Sequence, residues 1–299
     1  MPEFISVLIN SYNRAAQLRA NLELVFAQDY PQDLFEVVVM DDAGTDGTWA
    51  MLSGLAAEGR QKNLRILRNE RNLEIAGCRQ KLFENMSPGA SLALVVDDDV
   101  SLPGNYLSAL AAYMAKNPDV GALGPGVVYK NAPDRMAHYP NFVDPVTGLY
   151  SSRNVSGETD CDWLISCCLA LRVNALKKAG GLDGSFINSH EEVDLCLRIK
   201  SADYRVVYYP ALKAEHDIPE NVRKIGRLYY LYRNKFLVIR KNFPFPWKAT
   251  ATLTALFLGF PKYLLESVVY NRGIVPAELK TITRAVLDGL RGRGGRPGQ

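Results

Sequence analysis

The sequence predicts an α/β protein whose central sheet is covered by helices on both faces. Two apolar, β-branched runs, FISVLIN at residues 4–10 and FEVVVM at 35–40, flank a segment in which Leu18, Leu22, Val25 and Phe26 repeat at helical spacing. That order is a strand, a helix and a strand. The strand runs are continuously apolar rather than alternating, the pattern of strands buried on both sides.

The alternation continues along the chain. TDGTWAMLSGLAAEG (45–59) reads as a helix, LRILRN (64–69) as a strand, AGCRQKLFENM (76–86) as a helix and SLALVV (91–96) as a strand. Beyond about residue 120 the pattern loosens into a Pro-, Gly- and aromatic-rich stretch (126–152), expected as loops with a short hairpin. LISCCLALRVNALKKAGG (164–181) then reads as a strand and a helix stopped by Gly180-Gly181. A helix follows from Glu191 to Ala202, with Glu191, Asp194 and Arg198 on neighbouring turns. These elements give a main domain over residues 1–218, a helical extension over 219–290 and a disordered tail, RGRGGRPGQ, over 291–299.

Composition narrows the function. Thirty-five Lys and Arg against 32 Asp and Glu leave an excess too small for nucleic-acid binding by bulk charge. Five cysteines without C-x-x-C spacing argue against a disulfide scaffold and a structural zinc site, and read as reduced core residues. The first residues, MPEFISVLINSYNR, do not read as a secretory signal, so a cytoplasmic location is expected. The stretch 247–270 is apolar but broken by Thr residues, Pro261 and Lys262, which makes it a poor membrane span. Basic and aromatic residues alternate over 224–243; the extension therefore reads either as helices packed on the main domain or as a surface resting on the inner face of a membrane.

Three of the strand runs finish in polar groups: Asn10 to Arg14, Asp41-Asp42, and Asp97-Asp98-Asp99. In open α/β sheets, ligands bind in the crevice beyond the carboxyl ends of the strands. Three adjacent carboxylates repel one another, which a divalent cation held to a substrate phosphate would offset, as would simple hydration of an acidic turn. Neither a P-loop nor a G-x-G-x-x-G turn is present to supply phosphate binding.

Residues 6–48, with SYNR and DDAGTDGT, together with NERNLEIAGCRQ (69–80), VVDDDVSLP (95–103) and residues 161–216, resemble family 2 glycosyltransferases, and the last segment resembles rhamnosyltransferase-like members. The order and spacing of the motifs carry the resemblance over roughly residues 4–217. It implies the GT-A fold, a mixed α/β sheet flanked by helices, and inverting transfer of a sugar from a nucleotide-sugar donor with Mn²⁺ or Mg²⁺. Ala43-Gly44 stands where Gly-Ser is common, and Glu192 stands where the usual Glu-Asp pair has Asp.

The resemblance also implies roles. Asn10, Tyr12, Arg14 and Asp42 line the nucleotide pocket; Arg79, with Gly77 leaving room beside it, approaches the diphosphate or the base; Asp97 and Asp98 lie near the ribose and sugar. Asp99 and His216 are implied metal ligands. Glu192, and after it Glu191, is the base that takes the acceptor hydroxyl's proton, with Trp163 and Asp194 on the acceptor side. Residue by residue, plainer readings stand beside these: a surface ion pair for Arg79, a structural hydrogen bond for His216, core packing for Trp163, and helix capping for one of the glutamates. The acceptor is a glycan, a lipid-linked sugar or a small molecule. Other readings of the chain are a sugar nucleotidyltransferase and a non-catalytic glycan- or nucleotide-binding protein.

Overall fold

A computed structural model of the chain describes residues 2–218, 225–270, 273 and 275–297. In chain order the elements of the main domain are β1 (Ile5–Ser11), α1 (Ala15–Phe26), β2 (Phe35–Asp41), α2 (Thr48–Glu58), β3 (Leu64–Arg68), α3 (Glu74–Asn85), β4 (Leu92–Asp97), β5 (Val100–Ser101) and α4 (Tyr106–Lys116). Then come β6 (Val120–Tyr129), β7 (Ala132–His138), β8 (Asn141–Val143), β9 (Tyr150–Ser152), β10 (Thr159–Asp160), β11 (Cys168–Arg172), α5 (Val173–Lys178), α6 (Glu191–Ser201) and β12 (Arg205–His216). The extension holds α7 (Ile225–Asn242), α8 (Trp247–Thr254), a π-helical turn (Ala255–Gly259), α9 (Phe260–Tyr270) and α10 (Pro276–Leu290).

The main sheet runs β10-β12-β6-β11-β4-β1-β2-β3, with β5 paired to β12 and β7 to β6. β3, β2, β1 and β4 are parallel; β11 enters antiparallel to β4 and β6, so the sheet is mixed. The continuous apolar strands have the cause expected of them. Along β1, Ile5, Val7 and Ile9 pack with Leu18 and Leu22 of α1 on one face, while Leu8 packs with Cys78 and Leu82 of α3 on the other. All five cysteines are free and buried. The stretch after residue 120 is more regular than its composition suggests, because β6 is a ten-residue buried strand and β7 folds back on it.

The extension packs against α6. Phe186 and Val193 of the main domain share one apolar cluster with Phe236, Ile239 and Phe243 of α7 and Ala251 of α8. Gly289 of α10 lies so close to α7 that a Cβ there would meet the Arg233 carbonyl oxygen at 2.8 Å. Residues 291–297 depart from the disordered tail that their composition suggests. Gly295 N–H donates to the Ser185 carbonyl at 2.9 Å, Arg233 donates to the Gly295 carbonyl, and Arg296 donates to the Asn72 carbonyl. Hydrogen bonds that satisfy backbone carbonyls, two of them donated by arginine side chains, take the place of a hydrophobic contribution. The expectations for residues 219–224, 271–272, 274 and 298–299 lie outside the described residues.

Candidate active site

The register of the parallel strands assembles the site. Asn10 of β1 lies opposite Asp97 of β4, and Ser11 lies opposite Asp41 of β2, so three polar strand ends share one rim. Tyr12, just beyond β1, is 48% exposed on that rim, free to stack on a ligand.

The acidic triplet is divided among separate counter-charges. Arg79 Nη2 donates to Asp97 Oδ1 at 2.7 Å. Asp98 turns into the fold, where Ser11 Oγ donates to its Oδ2 at 2.6 Å and Arg14 Nη1 stands 3.5 Å from its Oδ1. Burial pushes the Asp98 carboxyl up to about 7, against the pull of Ser11 and Arg14. Asp99 receives Arg14 on Oδ2 and lies 3.1 Å from His216 Nε2 through Oδ1. Burial acts to raise Asp99, but His216 and Arg14 hold it below its ordinary value. The protein's own cations therefore relieve much of the repulsion. Asp98, expected beside the sugar, is instead 7% exposed and committed to the wall beneath the crevice.

Arg79 departs from its expected place at the diphosphate. It is 3% exposed, and its guanidinium spans the site: Nε to Asn10 Oδ1 at 3.4 Å, Nη1 to Ser166 Oγ at 2.6 Å and Glu191 Oε1 at 3.3 Å, Nη2 to Asp97 and the Ser166 carbonyl. With those donors engaged, Arg79 ties the Asp97 strand end to the start of α6. Gly77 leaves room for Leu73 rather than for Arg79, since an added Cβ would press on Leu73 Cβ at 3.0 Å.

Helix α6 opens after two residues in the left-handed region, Ser189 and His190, both at φ 68°. Asn234 of α7 holds this turn by donating to the carbonyls of Asn188 (2.9 Å) and Ser189 (2.6 Å). Glu191 then faces Arg79, and Glu192 Oε2 is buried with no hydrogen-bond partner among the described residues. Burial, and after it the Glu191 charge, push the Glu192 carboxyl upward. Asp194, expected in a structural or acceptor-positioning role, is held inside the fold. It is fully buried between Arg198 (2.7 Å) and Asn242 Nδ2 (2.8 Å), where it joins α6 to α7. Trp163 stands between two core clusters with its ring 5.6 Å from Tyr150. Asp42 is buried and accepts from Asn69 Nδ2 (2.7 Å) and Leu73 N (2.8 Å), so it also shapes the loop after β3; burial raises its carboxyl against those bonds.

The residues fit a divalent cation at Asp99 and His216. Asp99 Oδ1 and His216 Nε2 stand 3.1 Å apart as a hydrogen-bonded pair, a separation that adjacent ligands on an octahedral ion with bonds of ~2.1 Å, ~3 Å apart, would also have. The β5–β12 pairing, with His216 opposite Val100, holds the histidine there. Beside it stand His138, which the sequence did not single out, and Cys167, which read as a reduced core residue. His138 Nε2 lies 3.2 Å from His216 Nδ1, and the Cys167 thiol lies within 4.8 Å of both imidazoles. Burial, and then His216, lower His138 to about 4, which keeps that ring neutral. A chain with only three histidines offered a faint sign, since two of them meet here.

A mixed sheet bearing this acidic strand end opposite an acidic helix start defines the class as GT-A. The chain belongs to glycosyl transferase family 2: the family's sequence model, "Glycosyl transferase family 2", matches residues 6–180. Among relatives, the chain is 26% identical over 243 residues to the N-acetylglucosaminyl-diphospho-decaprenol L-rhamnosyltransferase of Mycobacterium tuberculosis, covering 72% of this chain and 76% of that protein. It is 24% identical over 246 residues to the uncharacterized protein y4gI of Sinorhizobium fredii, covering 75% of this chain and 26% of that protein, about a quarter of its length. Solved structures with the same fold include the mannosyltransferase PcManGT of Pyrobaculum calidifontis in complex with GDP-Man and Mn²⁺, with a TM-score of 0.62 and 20% identity over 96% of this chain and 82% of that one. Another is S. aureus TarS (residues 1–349) in complex with UDP-GlcNAc, with a TM-score of 0.67 and 17% identity over 97% of this chain and 81% of that one.

Proposed function

We propose that the protein is an inverting, metal-dependent glycosyltransferase that moves a sugar from a nucleotide-sugar donor to an acceptor hydroxyl in glycan or polysaccharide biosynthesis. The observation that carries the reading is the opposition of two groups across Arg79. On one side stand Asp97, Asp99 and His216; on the other stand Glu191 and Glu192, each with one buried carboxylate oxygen that has no hydrogen-bond partner among the described residues.

Tyr12, Asn10 and Asp42 bound the place of the donor's nucleoside, and Asp99 with His216 would hold Mn²⁺ or Mg²⁺. Such an ion supplies positive charge to the departing diphosphate. Glu192 takes the proton of the acceptor hydroxyl as that oxygen bonds to the anomeric carbon and the carbon–oxygen bond to the diphosphate breaks. Its upward shift makes it a stronger base once ionised. Attack opposite the leaving group inverts the centre. Arg79 positions Glu191 and Asp97 from below.

The acceptor of the mycobacterial relative is, by its name, linked to a lipid diphosphate. That supports a lipid-linked acceptor here, and with it work at the inner face of a membrane. Among the described residues no helix is long and apolar enough to cross one.

The test is a screen of nucleotide sugars with Mn²⁺ that measures the nucleotide released and the anomeric configuration of the product by NMR. Nucleoside diphosphate and an inverted linkage are expected. Release of pyrophosphate would instead make the protein a nucleotidyltransferase, and absence of turnover with every donor would leave a binding protein.

A further inference from the structure

Behind the acceptor side lies a second feature that the donor chemistry does not use. A cavity of about 290 Å³ opens between β9, α7 and the α8–α9 helix, lined by Tyr150, Lys235, Leu258, Phe260, Tyr263 and Val286 among others. Its lining is mainly aromatic and aliphatic, and Ala255, Leu258 and Gly259 of the π-helical turn form part of it. Single π turns inside α-helices recur at functional sites.

Lys235 is the anomaly. Its ammonium lies 3.0 Å from the centroid of the Tyr150 ring and donates to the Gly148 carbonyl, and it makes no ion pair with a carboxylate among the described residues. Burial lowers the ammonium to about 7. A desolvated cation with only a carbonyl and a ring for company is costly unless an anion joins it. Lys262, a second cation in the lining, pairs only loosely with Glu266 at 3.8 Å.

Position ties the cavity to the site. The Tyr150 ring lies 5.7 Å from that of His190, the residue before Glu191, and 5.6 Å from that of Trp163. On the other side, Phe257 (72% exposed), Leu258, Leu265 and Val269 present an apolar surface to solvent. Tyr150 is thus shared: it lines the cavity beside Lys235 and neighbours the residue that precedes Glu191.

We infer that this cavity binds an amphiphile whose phosphate pairs with Lys235 and whose hydrocarbon chain leaves along Leu258 and Phe257, so that a sugar carried beyond the phosphate meets Glu192. The inference rests on the transferase reading and assigns its acceptor class: a prenyl- or alkyl-phosphate-linked sugar. Charge selects the phosphate, and the apolar lining and surface select the chain.

Calorimetric titration of the full chain with geranyl phosphate, geraniol and inorganic phosphate tests it. Geranyl phosphate is expected to bind at least about tenfold more tightly than geraniol, with inorganic phosphate weaker than both. In Lys235→Met, which keeps the length of the stem, that preference should shrink to within about threefold. Leu258→Asp, on the exposed rim, should weaken geranyl phosphate more than geraniol and serves if the first variant fails to fold by circular dichroism. Equal binding of the alcohol and the phosphate by the wild type, or a full preference in both variants, overturns the inference. Release of nucleoside diphosphate by the wild type is measured in parallel. If it occurs without a phosphate preference, the cavity assignment falls and the transferase reading stands. A Lys235-dependent preference without release from any donor keeps the amphiphile site and removes its role as acceptor site.

Discussion

The half of the crevice at the strand ends, proposed for the donor, and the half at the start of α6, proposed for the acceptor, are built in different ways. The donor half is local: Asn10, Tyr12, Arg14, Asp42 and the acidic triplet all follow directly on parallel strands, and sheet register alone brings them together. The acceptor half is assembled from a distance. Glu191 and Glu192 are set by a turn that α7 holds through Asn234, 45 residues away from Ser189. Position in the first half depends on the sheet, and in the second on docking of the extension.

The comparison sets the order of expected effects. Glu192→Gln keeps shape and removes the base, and should lower kcat by about 10²–10⁴-fold while donor binding, measured by thermal shift, persists. Asp99→Asn should lower kcat by about 10²–10³-fold and weaken the response to Mn²⁺, read from a metal titration of the rate. Equal tolerance of both changes would remove the two-sided site.

Arg233→Met tests the distant half through its support. Arg233 is 1% exposed and donates to the carbonyls of Ser185 and Gly295. Leaving those acceptors unpaired should cost about 1–3 kcal/mol by denaturant unfolding. The damage should fall on acceptor KM and kcat more than on donor binding; a loss of donor affinity alone would show that the halves are not divided in this way.

A pH profile sharpens the point further. Because the folded carboxyl of Glu192 is raised, the ionised base appears only at higher pH, and the rising limb of kcat should lie above the range of an exposed glutamate, about 4.3. Glu191→Gln removes the neighbouring negative charge and should move that limb to lower pH. A limb that stays in place would assign the titration elsewhere. Deletion of residues 291–299 should lower stability by about 1–3 kcal/mol, read by denaturant unfolding, through the lost bonds at Ser185, Asn72 and the buried Arg233.

What the sequence revealed follows the same division. Strand runs ending in Asn10, Asp42 and Asp97 were legible because strand, turn and polar group are contiguous. Helical spacing also placed Glu191, Asp194 and Arg198 on neighbouring turns correctly, yet it does not say which neighbour covers each turn. Asn242, 48 residues on, claims Asp194. Arg79 shows the limit most clearly: its partners lie 18, 69, 87 and 112 residues away, and only the folded sheet reveals that it is enclosed. Gly and Arg suggest disorder in the tail by composition, yet its Gly295 carbonyl accepts from the Arg233 side chain and its Arg296 guanidinium donates to the Asn72 carbonyl.

The Arg79 crossing bears on how such a protein can change. One guanidinium is shared between the Asp97 carboxylate at the strand end and the Glu191 carboxylate at the start of α6, so altering either anion redistributes its field toward the other. Chimaeras that swap residues 161–290 wholesale from a relative would inherit a mismatched seam here. Successful exchange of specificity would have to transplant Ser166, Glu191 and the surroundings of Arg79 together, as one inherited unit.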